Sequence, residues 1–386
     1  MGRRKICTVI TSRASYARIK SVLREIKKNP NLDLQLILGA SLLLDRYGSA
    51  ANIIEKDGFK ASAHVYMVLE GENPITMAKT TGIGLMELPT IFNELNPDTV
   101  LTVADRFETI ATAVSASYMN IPVAHVQGGE ITGSIDERVR HAVTKLSDLH
   151  FVSNENAARR VIHMGEHPET VFVTGCPSID LAAEVMKDPK IDSDFFEKYK
   201  GVGIPFDLSK IYLIVLQHPV TTEYEFALEQ INKTLMTIYD LKIPTIWFWP
   251  NVDAGSDKVS KGIRMFREKY RCDFIYFLKN VPPEDFLRLL YNCMCIVGNS
   301  SVGIREASFM GIPAVNIGSR QRGRDRGSNV IDVGYNEEEI KNAIKRQIDI
   351  GRYPQEYIYG DGNAGKRIVD ILSKENLKRN KQFYET

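Results

Sequence analysis

Residues 98–126, DTVLTVADRFETIATAVSASYMNIPVAHV, decide the fold of this chain. Residues 98–103 and 122–126 are short apolar runs of the kind that form buried strands, and the segment between them has helical spacing. Because the connection contains a helix rather than a tight turn, the two strands are expected to lie parallel. Polar residues, beginning with Asp105 and Arg106, follow the first strand directly. The stretch therefore predicts a βαβ unit with a polar loop at the carboxyl end of its first strand.

The same alternation of short strands and longer helices continues along most of the chain. Further strands are predicted at residues 6–11, 34–38, 149–152, 171–174, 211–216, 244–248, 273–277, 294–297 and 314–317. Residues 187–210 are polar and contain Pro and Gly, which is typical of a connecting segment. The pattern predicts two α/β units of similar size, each with a mostly parallel sheet covered by helices on both faces.

The composition is that of a globular protein without a strongly charged surface. The 386 residues are 44% hydrophobic, and 49 Lys and Arg oppose 48 Asp and Glu, for a net charge of +1. That balance gives no electrostatic footprint for nucleic acid or a membrane surface, so neither is expected as a partner. The apolar run at residues 6–10 is too short for a signal peptide, and nothing approaches a membrane span. A cytoplasmic protein is expected.

Two motif-like features of the sequence receive a structural interpretation. Cys293 and Cys295 have no His or second Cys pair nearby, so buried thiols are expected rather than a zinc site. Residues 360–366, GDGNAGK, nearly match a phosphate-binding loop. However, Arg367 stands where a Ser or Thr would hold magnesium, and no strand precedes the loop. A Gly-rich turn leading into a C-terminal helix over 364–379 is predicted instead.

Candidate functional residues follow from where ligands bind in open parallel sheets, beyond the carboxyl ends of the strands. In the first unit, the loops at that edge offer carboxylates beside arginines. In the second unit they offer hydroxyl groups, His218 and several arginines. Residues 299–303, NSSVG, form a strand-to-helix junction suited to an anion. Together these loops predict a phosphate-bearing ligand held mainly by the second unit, with acid–base chemistry on the first.

Simpler structural roles are open for several of these residues. Asp105 could be a helix N-cap beside an ion pair, and Asp136 could cap its helix and pair with Arg140 one turn on. His218 could simply donate to a backbone carbonyl. His125, inside a predicted strand, is expected to be packed rather than catalytic.

Four stretches of the sequence resemble one known family. They are ADRFETIATAVSASYMNIPVAHVQGGEITGSIDERVRHAVTKLSDLHF from 104, QHPVTTE from 217, PNVDAGS from 250 and GNSSVGIREASFMGIPAVNIGSRQRGR from 298. Together they resemble the hydrolysing UDP-N-acetylglucosamine 2-epimerases of the sialic and related nonulosonic acid pathways. The resemblance implies the GT-B architecture, two Rossmann-like domains at 1–185 and 205–363, with a helix at 364–386 packing back on the first. It also implies a UDP-sugar in the cleft and a homodimer or tetramer. No metal-binding cluster is seen in the sequence, and arginines and backbone dipoles can meet the charge of the leaving group, so no metal or cofactor is expected.

Residue by residue, the resemblance implies a UDP-sugar site and an acid–base set. Contacts to the substrate are implied for Arg13, Arg106, Gln127, His218, Asn251, Ser300, Ser301, Glu306 and Arg320. Asp105 and Asp136 fall on the family's acid–base positions, and Glu130 is a third candidate catalytic carboxylate. The sequence departs from the family at Ser15, where Asp is usual, and at Gln127, where many hydrolysing members carry Glu. Because an amide cannot exchange a proton as a carboxylate does, either Glu130 or a water takes that role, or the substrate differs from UDP-N-acetylglucosamine. In the latter case we expect Gln127 to hydrogen-bond a sugar substituent.

The implied reaction removes the C2 proton of a 2-acetamido sugar while the C1–O bond to UDP breaks. Asp105 is the expected base, and Asp136 and Glu130 are candidates for hydrating the resulting 2-acetamidoglucal. UDP-N-acetylglucosamine is the first candidate substrate, and UDP-2,4-diacetamido-2,4,6-trideoxyglucose is the second. Two alternatives from other classes are a GT-B glycosyltransferase and a non-catalytic UDP-sugar sensor.

Overall fold

The computed structural model describes residues 2–44, 50–103, 105–250, 253–375 and 381–385. The strands of this part of the chain are β1 Arg4–Ile10, β2 Leu32–Gly39, β3 Ala63–Val65, β4 Thr99–Val103, β5 Val123–Val126, β6 Leu149–Val152, β7 Val171–Val173, β8 Leu213–Leu216, β9 Thr245–Phe248, β10 Ile275–Leu278, β11 Cys295–Gly298, β12 Ala314–Ile317 and β13 Val330–Val333. The α-helices are α1 Arg13–Lys28, α2 Ala50–Lys56, α3 Pro74–Leu95, α4 Thr109–Tyr118, α5 Ile135–Leu146, α6 Glu155–His163, α7 Pro177–Lys187, α8 Phe195–Lys198, α9 Ala227–Leu241, α10 Ser256–Lys269, α11 Pro283–Asn292, α12 Glu306–Met310, α13 Glu337–Ile350 and α14 Ala364–Lys374.

The first seven strands form one parallel sheet in the order β3-β2-β1-β4-β5-β6-β7. The order reverses between β1 and β4, which lie side by side with Ile6 opposite Thr99 and Thr8 opposite Leu101. At such a reversal the loops leaving the two strands turn in opposite directions, and a crevice opens between them. The loops after β1 and β4 are those that carry Arg13, Asp105 and Arg106.

The remaining six strands form a second parallel sheet in the order β10-β9-β8-β11-β12-β13. Its reversal falls between β8 and β11, where Leu213 lies opposite Cys295. The loops after these strands carry His218 and Ser300. The predicted α/β class, with two Rossmann-like domains and parallel sheets, is confirmed.

Both sheets are buried on both faces, which explains why their strands could be predicted from continuous apolar runs. Every residue of β4 and of β8 is buried. Burying one Val, Leu or Ile side chain contributes about 1.5–3 kcal/mol, so these central strands hold their positions firmly. The strands that the sequence did not predict, β3 and β13, are short edge strands with partly exposed residues. Their weaker apolar pattern explains why they were missed.

The chain crosses between the domains twice. It leaves the first domain in α7, whose Ile179 and Val185 pack with the apolar core of the second domain. It returns in α14, whose Ile368 and Leu372 pack with Ile19 of α1 in the core of the first domain. The first domain therefore contains both the beginning and the end of the described chain. The domain boundaries drawn from the sequence remain a prediction.

The last described residues, 381–385, also lie on the first domain. Lys381 Nζ is 2.5 Å from Glu166 Oε2, and the Tyr384 amide donates to the Gly165 carbonyl at 3.0 Å. Glu166 also accepts from the buried His150 at 2.9 Å. Lys381 also donates to the Thr144 carbonyl of α5 at 3.3 Å, so residues 381–385 link α5, β6 and the segment after α6.

The GDGNAGK segment is a turn that leads into α14, as expected. Gly360 and Gly362 have φ values of 116° and 89°, a conformation that favours glycine. The Asp180 carboxylate accepts from the amides of Ala364 and Gly365 at 2.9 and 2.7 Å. A residue of the protein therefore occupies the helix N-terminus that a phosphate would need in a phosphate-binding loop.

Three smaller expectations are resolved by the structure. Helix α14 ends at Lys374 rather than at 379, because Glu375 has extended backbone angles; residues 376–380 lie outside the described residues. Cys293 and Cys295 are buried thiols, as predicted. Among the described residues, no helix combines the length and apolar character needed to cross a membrane.

Candidate active site

The carboxyl ends of the two sheets face each other across a cleft of about 140 Å³ that is partly open to solvent. Nine of the twelve predicted site residues line it: Arg13, Asp105, Arg106, Asp136, His218, Ser300, Ser301, Glu306 and Arg320. Gln127 and Glu130 are not among the lining residues. Asn251 lies outside the described residues.

The start of α1 points Arg13 across the cleft. Ser12 caps the helix, and its Oγ accepts from the Ser15 amide at 3.1 Å and lies 2.9 Å from the Ser15 hydroxyl. The residue that departs from the family pattern thus completes a local cap. Arg13 Nη2 donates to the Trp249 carbonyl of the second domain at 3.1 Å. Burial, and secondarily the charge of Arg106, lower the pKa of Arg13 to about 10, which leaves it charged at neutral pH.

Two further arginines face the cleft from opposite domains. Arg106 Nε lies 2.8 Å from Glu108, and Arg320 Nη1 donates to the Asn299 carbonyl at 3.3 Å. These contacts hold both guanidinium groups in place, and both residues line the cleft. Fixed cations that line a cleft are suited to a diphosphate group.

Ser300 and Ser301 line the cleft on the side of the second domain. The predicted strand-to-helix junction is a 3-10 turn, Ser301–Gly303, followed by the short helix α12. The Ser300 hydroxyl caps the turn, and the Ser301 hydroxyl accepts from Arg18 at 3.1 Å and from Arg305 at 2.8 Å. Glu306 begins α12 and lies 4.0 Å from Arg305. Ser301 therefore orients cations as well as lining the cleft.

His218 is buried and enters the cleft as a neutral imidazole. Burial lowers its pKa well below the ordinary value of 6.5, and the charges of Arg320, Arg13 and Arg106 lower it further. Its backbone is fixed by the Asn299 side chain, which accepts from the His218 amide at 2.7 Å and donates to its carbonyl at 2.8 Å. A neutral imidazole can accept or donate a hydrogen bond without adding charge.

Asp136 has the pKa best suited to exchanging a proton near neutrality. Burial, and secondarily the charge of Asp105, raise its pKa to about 6, although Arg320 lies only 3.5 Å away. Ser134, rather than Asp136, caps α5. Arg140 does not pair with Asp136, because its guanidinium is turned to other carboxylates. Neither structural role open to Asp136 from the sequence is found.

Asp105, expected to be the base, is held by three arginines. Its Oδ1 lies 3.1 Å from Arg18, and its Oδ2 contacts Arg140 and lies 3.8 Å from Arg324. Burial alone would raise its pKa, but the charges of Arg140, Arg18 and Arg324 hold that pKa well below 3.8. Glu108, and not Asp105, stands at the start of α4. While it is paired with these arginines, Asp105 is a weak base, and its carboxylate holds their guanidinium groups in place.

Glu130 lies behind the cleft wall. Its Oε2 is 3.3 Å from both Arg305 and Arg324. Burial alone would raise its pKa, but those two charges, with that of Arg140, lower it. Its other oxygen, Oε1, is buried without a hydrogen-bond partner among the described residues. The structure therefore places this predicted catalytic carboxylate in an arginine cluster rather than on the cleft surface.

Gln127 is also turned away from the cleft. Its φ is 69°, an uncommon value for a residue with a side chain. Its amide nitrogen donates to Cys176 Sγ at 2.7 Å, and its amide oxygen accepts from Arg305 at 3.3 Å. The expectation that Gln127 contacts the sugar is not supported by this arrangement, since both ends of its amide bind protein groups.

Sequence reasoning missed a cluster of four arginines at the cleft: the partly exposed Arg18 and the buried Arg140, Arg305 and Arg324. Three of them lie within or next to helices, and their only signal was a charged residue on a face that a helix would bury. His125, by contrast, is packed as expected, with Nδ1 3.3 Å from the Thr144 hydroxyl.

Fold and cleft together define a two-domain α/β protein of GT-B architecture with arginine residues lining the cleft between its sheets. The sequence profile of the UDP-N-acetylglucosamine 2-epimerases matches residues 24–373. The chain is 32% identical over 369 residues to a UDP-N,N'-diacetylbacillosamine 2-epimerase (hydrolyzing) of Legionella pneumophila, covering 96% of this chain and 95% of that one. It therefore belongs to the UDP-N-acetylglucosamine 2-epimerase family.

Two further proteins extend the comparison. A UDP-N-acetylglucosamine 2-epimerase of Neisseria meningitidis serogroup B is 27% identical over 398 residues, covering 99% of each chain. The crystal structure of the UDP-GlcNAc 2-epimerase from Neisseria meningitidis bound to UDP-GlcNAc superposes with a TM-score of 0.79. At 20% identity, covering 96% of this chain and 100% of that one, it supports the shared fold.

Proposed function

We propose that this protein is a hydrolysing 2-epimerase that converts a UDP-linked 2-acetamido sugar into UDP and the free 2-epimeric sugar. The observation that carries the proposal is the cleft itself. Arg13, Arg106 and Arg320 face a carboxyl group, Asp136, whose pKa of about 6 allows it to lose and regain a proton near neutrality. The cations suit the diphosphate, and the carboxyl suits the C2 proton.

In the first step, Asp136 accepts the C2 proton. The electron pair of that C–H bond forms the C1–C2 double bond, and the C1–O bond breaks with its electrons remaining on UDP. The products of this step are UDP and a 2-acetamidoglucal. We assign Asp136 rather than Asp105 to the proton because Asp105 is tied to three arginines that hold its pKa well below 3.8.

In the second step, water adds across the double bond of the glycal. Its oxygen bonds to C1, and C2 receives a proton on the face opposite to the one deprotonated. The sum of both steps is UDP-sugar plus water giving UDP plus the 2-epimer. Arg13, Arg106 and Arg320 stabilise the departing diphosphate through charge-assisted hydrogen bonds, which are stronger than neutral ones.

Reaction in D₂O tests this function directly. Purified protein is incubated with UDP-N-acetylglucosamine, and the released sugar is analysed by NMR. We expect free N-acetylmannosamine carrying one deuterium at C2. Retained protium with the gluco configuration would indicate simple hydrolysis, and epimers still linked to UDP would indicate a non-hydrolysing epimerase. Release of UDP only when an acceptor sugar is added would indicate a glycosyltransferase.

A second substrate is favoured by the Legionella relative, whose name specifies UDP-N,N'-diacetylbacillosamine. This sugar differs from N-acetylglucosamine by an acetamido group at C4 and a methyl group at C6. Comparing kcat/KM for the two UDP-sugars decides between them, since a pocket built for the C4 substituent should discriminate by more than about tenfold. Equal values would mean that the cleft does not read C4.

A further inference from the structure

Asp253 belongs to the second domain, yet its carboxylate contacts the first. It lies between β9 and α10, and its Oδ1 is 3.1 Å from Arg106 Nη1. Two residues further on, the Gly255 amide donates to the Glu72 carbonyl of the first domain at 2.9 Å. This segment is therefore fixed against the first domain by its backbone as well as by its side chain.

Arg106 is held from two sides by carboxylates of different domains. Glu108, on its own loop, binds Nε at 2.8 Å, and Asp253 binds Nη1 at 3.1 Å. All three side chains are buried. One carboxylate at Nε leaves the end of the guanidinium fork less constrained, whereas a second at Nη1 fixes its plane.

We infer that Asp253 is a positioning residue, which holds the Arg106 guanidinium in its diphosphate-binding orientation across the domain boundary. The inference rests on the proposed function in one respect, namely that Arg106 contacts the diphosphate. Because the two residues come from different domains, this orientation depends on the contact that the second domain makes with the first. The first domain thus supplies the Arg106 guanidinium, and the second domain supplies the carboxylate that orients it.

The charge of Asp253 also reaches the proton-exchanging carboxyl. Asp136 faces Asp105 and Arg106 from the β4 loop and Arg320 and Asp253 from the second domain. Its own helix adds Glu137 and Arg140, and neutral His218 shares the cleft. In this set the negative charge of Asp253 raises the pKa of Asp136, and Arg106 lowers it. Removing the Asp253 charge should therefore lower that pKa.

The test compares Asp253→Asn with Asp257→Asn, a matched change of an exposed aspartate at the start of α10. UDP binding is measured by calorimetry, and kcat/KM is measured from pH 5 to 8. For Asp253→Asn we expect about three- to tenfold weaker UDP binding and an acid limb moved to lower pH by about half a unit or more. The control should match the wild type in both. Unchanged UDP affinity and an unmoved acid limb would overturn the inference.

A double-mutant cycle separates positioning from a loss of folding. If Asp253 acts through Arg106, Asp253→Asn should change UDP affinity by less than about twofold in an Arg106→Gln background. An equal loss in both backgrounds would show that Asp253 acts elsewhere, and thermal unfolding of each variant reports any structural damage. Because UDP binding needs no turnover, a wild type that binds UDP but releases no sugar would refute the proposed function alone.

Discussion

Replacing Asp136 by Asn should abolish activity and at the same time stabilise the protein. The pKa of this carboxyl is about 6 in the folded state against 3.8 ordinarily. The folded state therefore binds the proton more tightly than the unfolded state does, and protonation of Asp136 stabilises the fold. This stabilisation is complete below about pH 4 and is lost as the pH rises through 6. At about 1.4 kcal/mol per pH unit, the buried charge costs about 3 kcal/mol at pH 7.5.

Asparagine resembles the protonated carboxyl and does not incur that cost. Urea unfolding should show Asp136→Asn to be more stable than the wild type by up to about 3 kcal/mol at pH 7.5, and by about half of that at pH 5. In the wild type, kcat/KM should fall about tenfold between pH 7 and pH 5 as the base becomes protonated. The variant should lose about 10²–10⁴-fold in rate. A variant that is less stable at pH 7.5 and still active would show that Asp136 only pairs with Arg320.

Three further outcomes are expected. Asp105→Asn should lower the free energy of unfolding by about 3–5 kcal/mol, measured by urea denaturation, because it leaves buried arginine charges uncompensated; unchanged stability would mean that the arginine cluster does not depend on Asp105. Arg320→Ala should weaken UDP binding by about 1–3 kcal/mol in calorimetry, and full affinity would remove it from the diphosphate site. Lys381→Met should lower stability by about 1–3 kcal/mol, since the buried Glu166 loses a charged partner, while a thermal scan identical to the wild type would show that the chain end contributes nothing.

Site residues that directly follow a strand could be predicted from the sequence. Site residues whose position depends on how a helix is oriented could not. His218 and Ser300 follow β8 and β11, whose carboxyl ends lie side by side in the second sheet, so their proximity follows from topology alone. Arg18 and Arg305 needed the rotation of a helical or turn segment relative to its neighbours, which no local pattern specifies.

The orientation of the Gln127 side chain could not be predicted from the sequence either. Its place after β5 was predicted correctly, but its left-handed backbone turns the side chain towards Arg305 and away from the cleft. Positive φ at a residue other than glycine leaves little trace in a single sequence. The same holds for the pKa values of Asp105 and Asp136, because each depends on charges brought from distant segments.

The path of the chain has a consequence for how the protein is made. Domains generally fold as units during synthesis, and the N-terminal one is usually first. Here the first domain needs α14 and residues 381–385 to complete its surface, so it cannot finish folding until those residues have been synthesised. The second domain is continuous in the chain and can finish earlier. A product truncated before α14 would therefore expose the apolar face of α1 while its second domain is intact. Packing of α14 on α1 is thus the step that completes the first domain of a nascent chain.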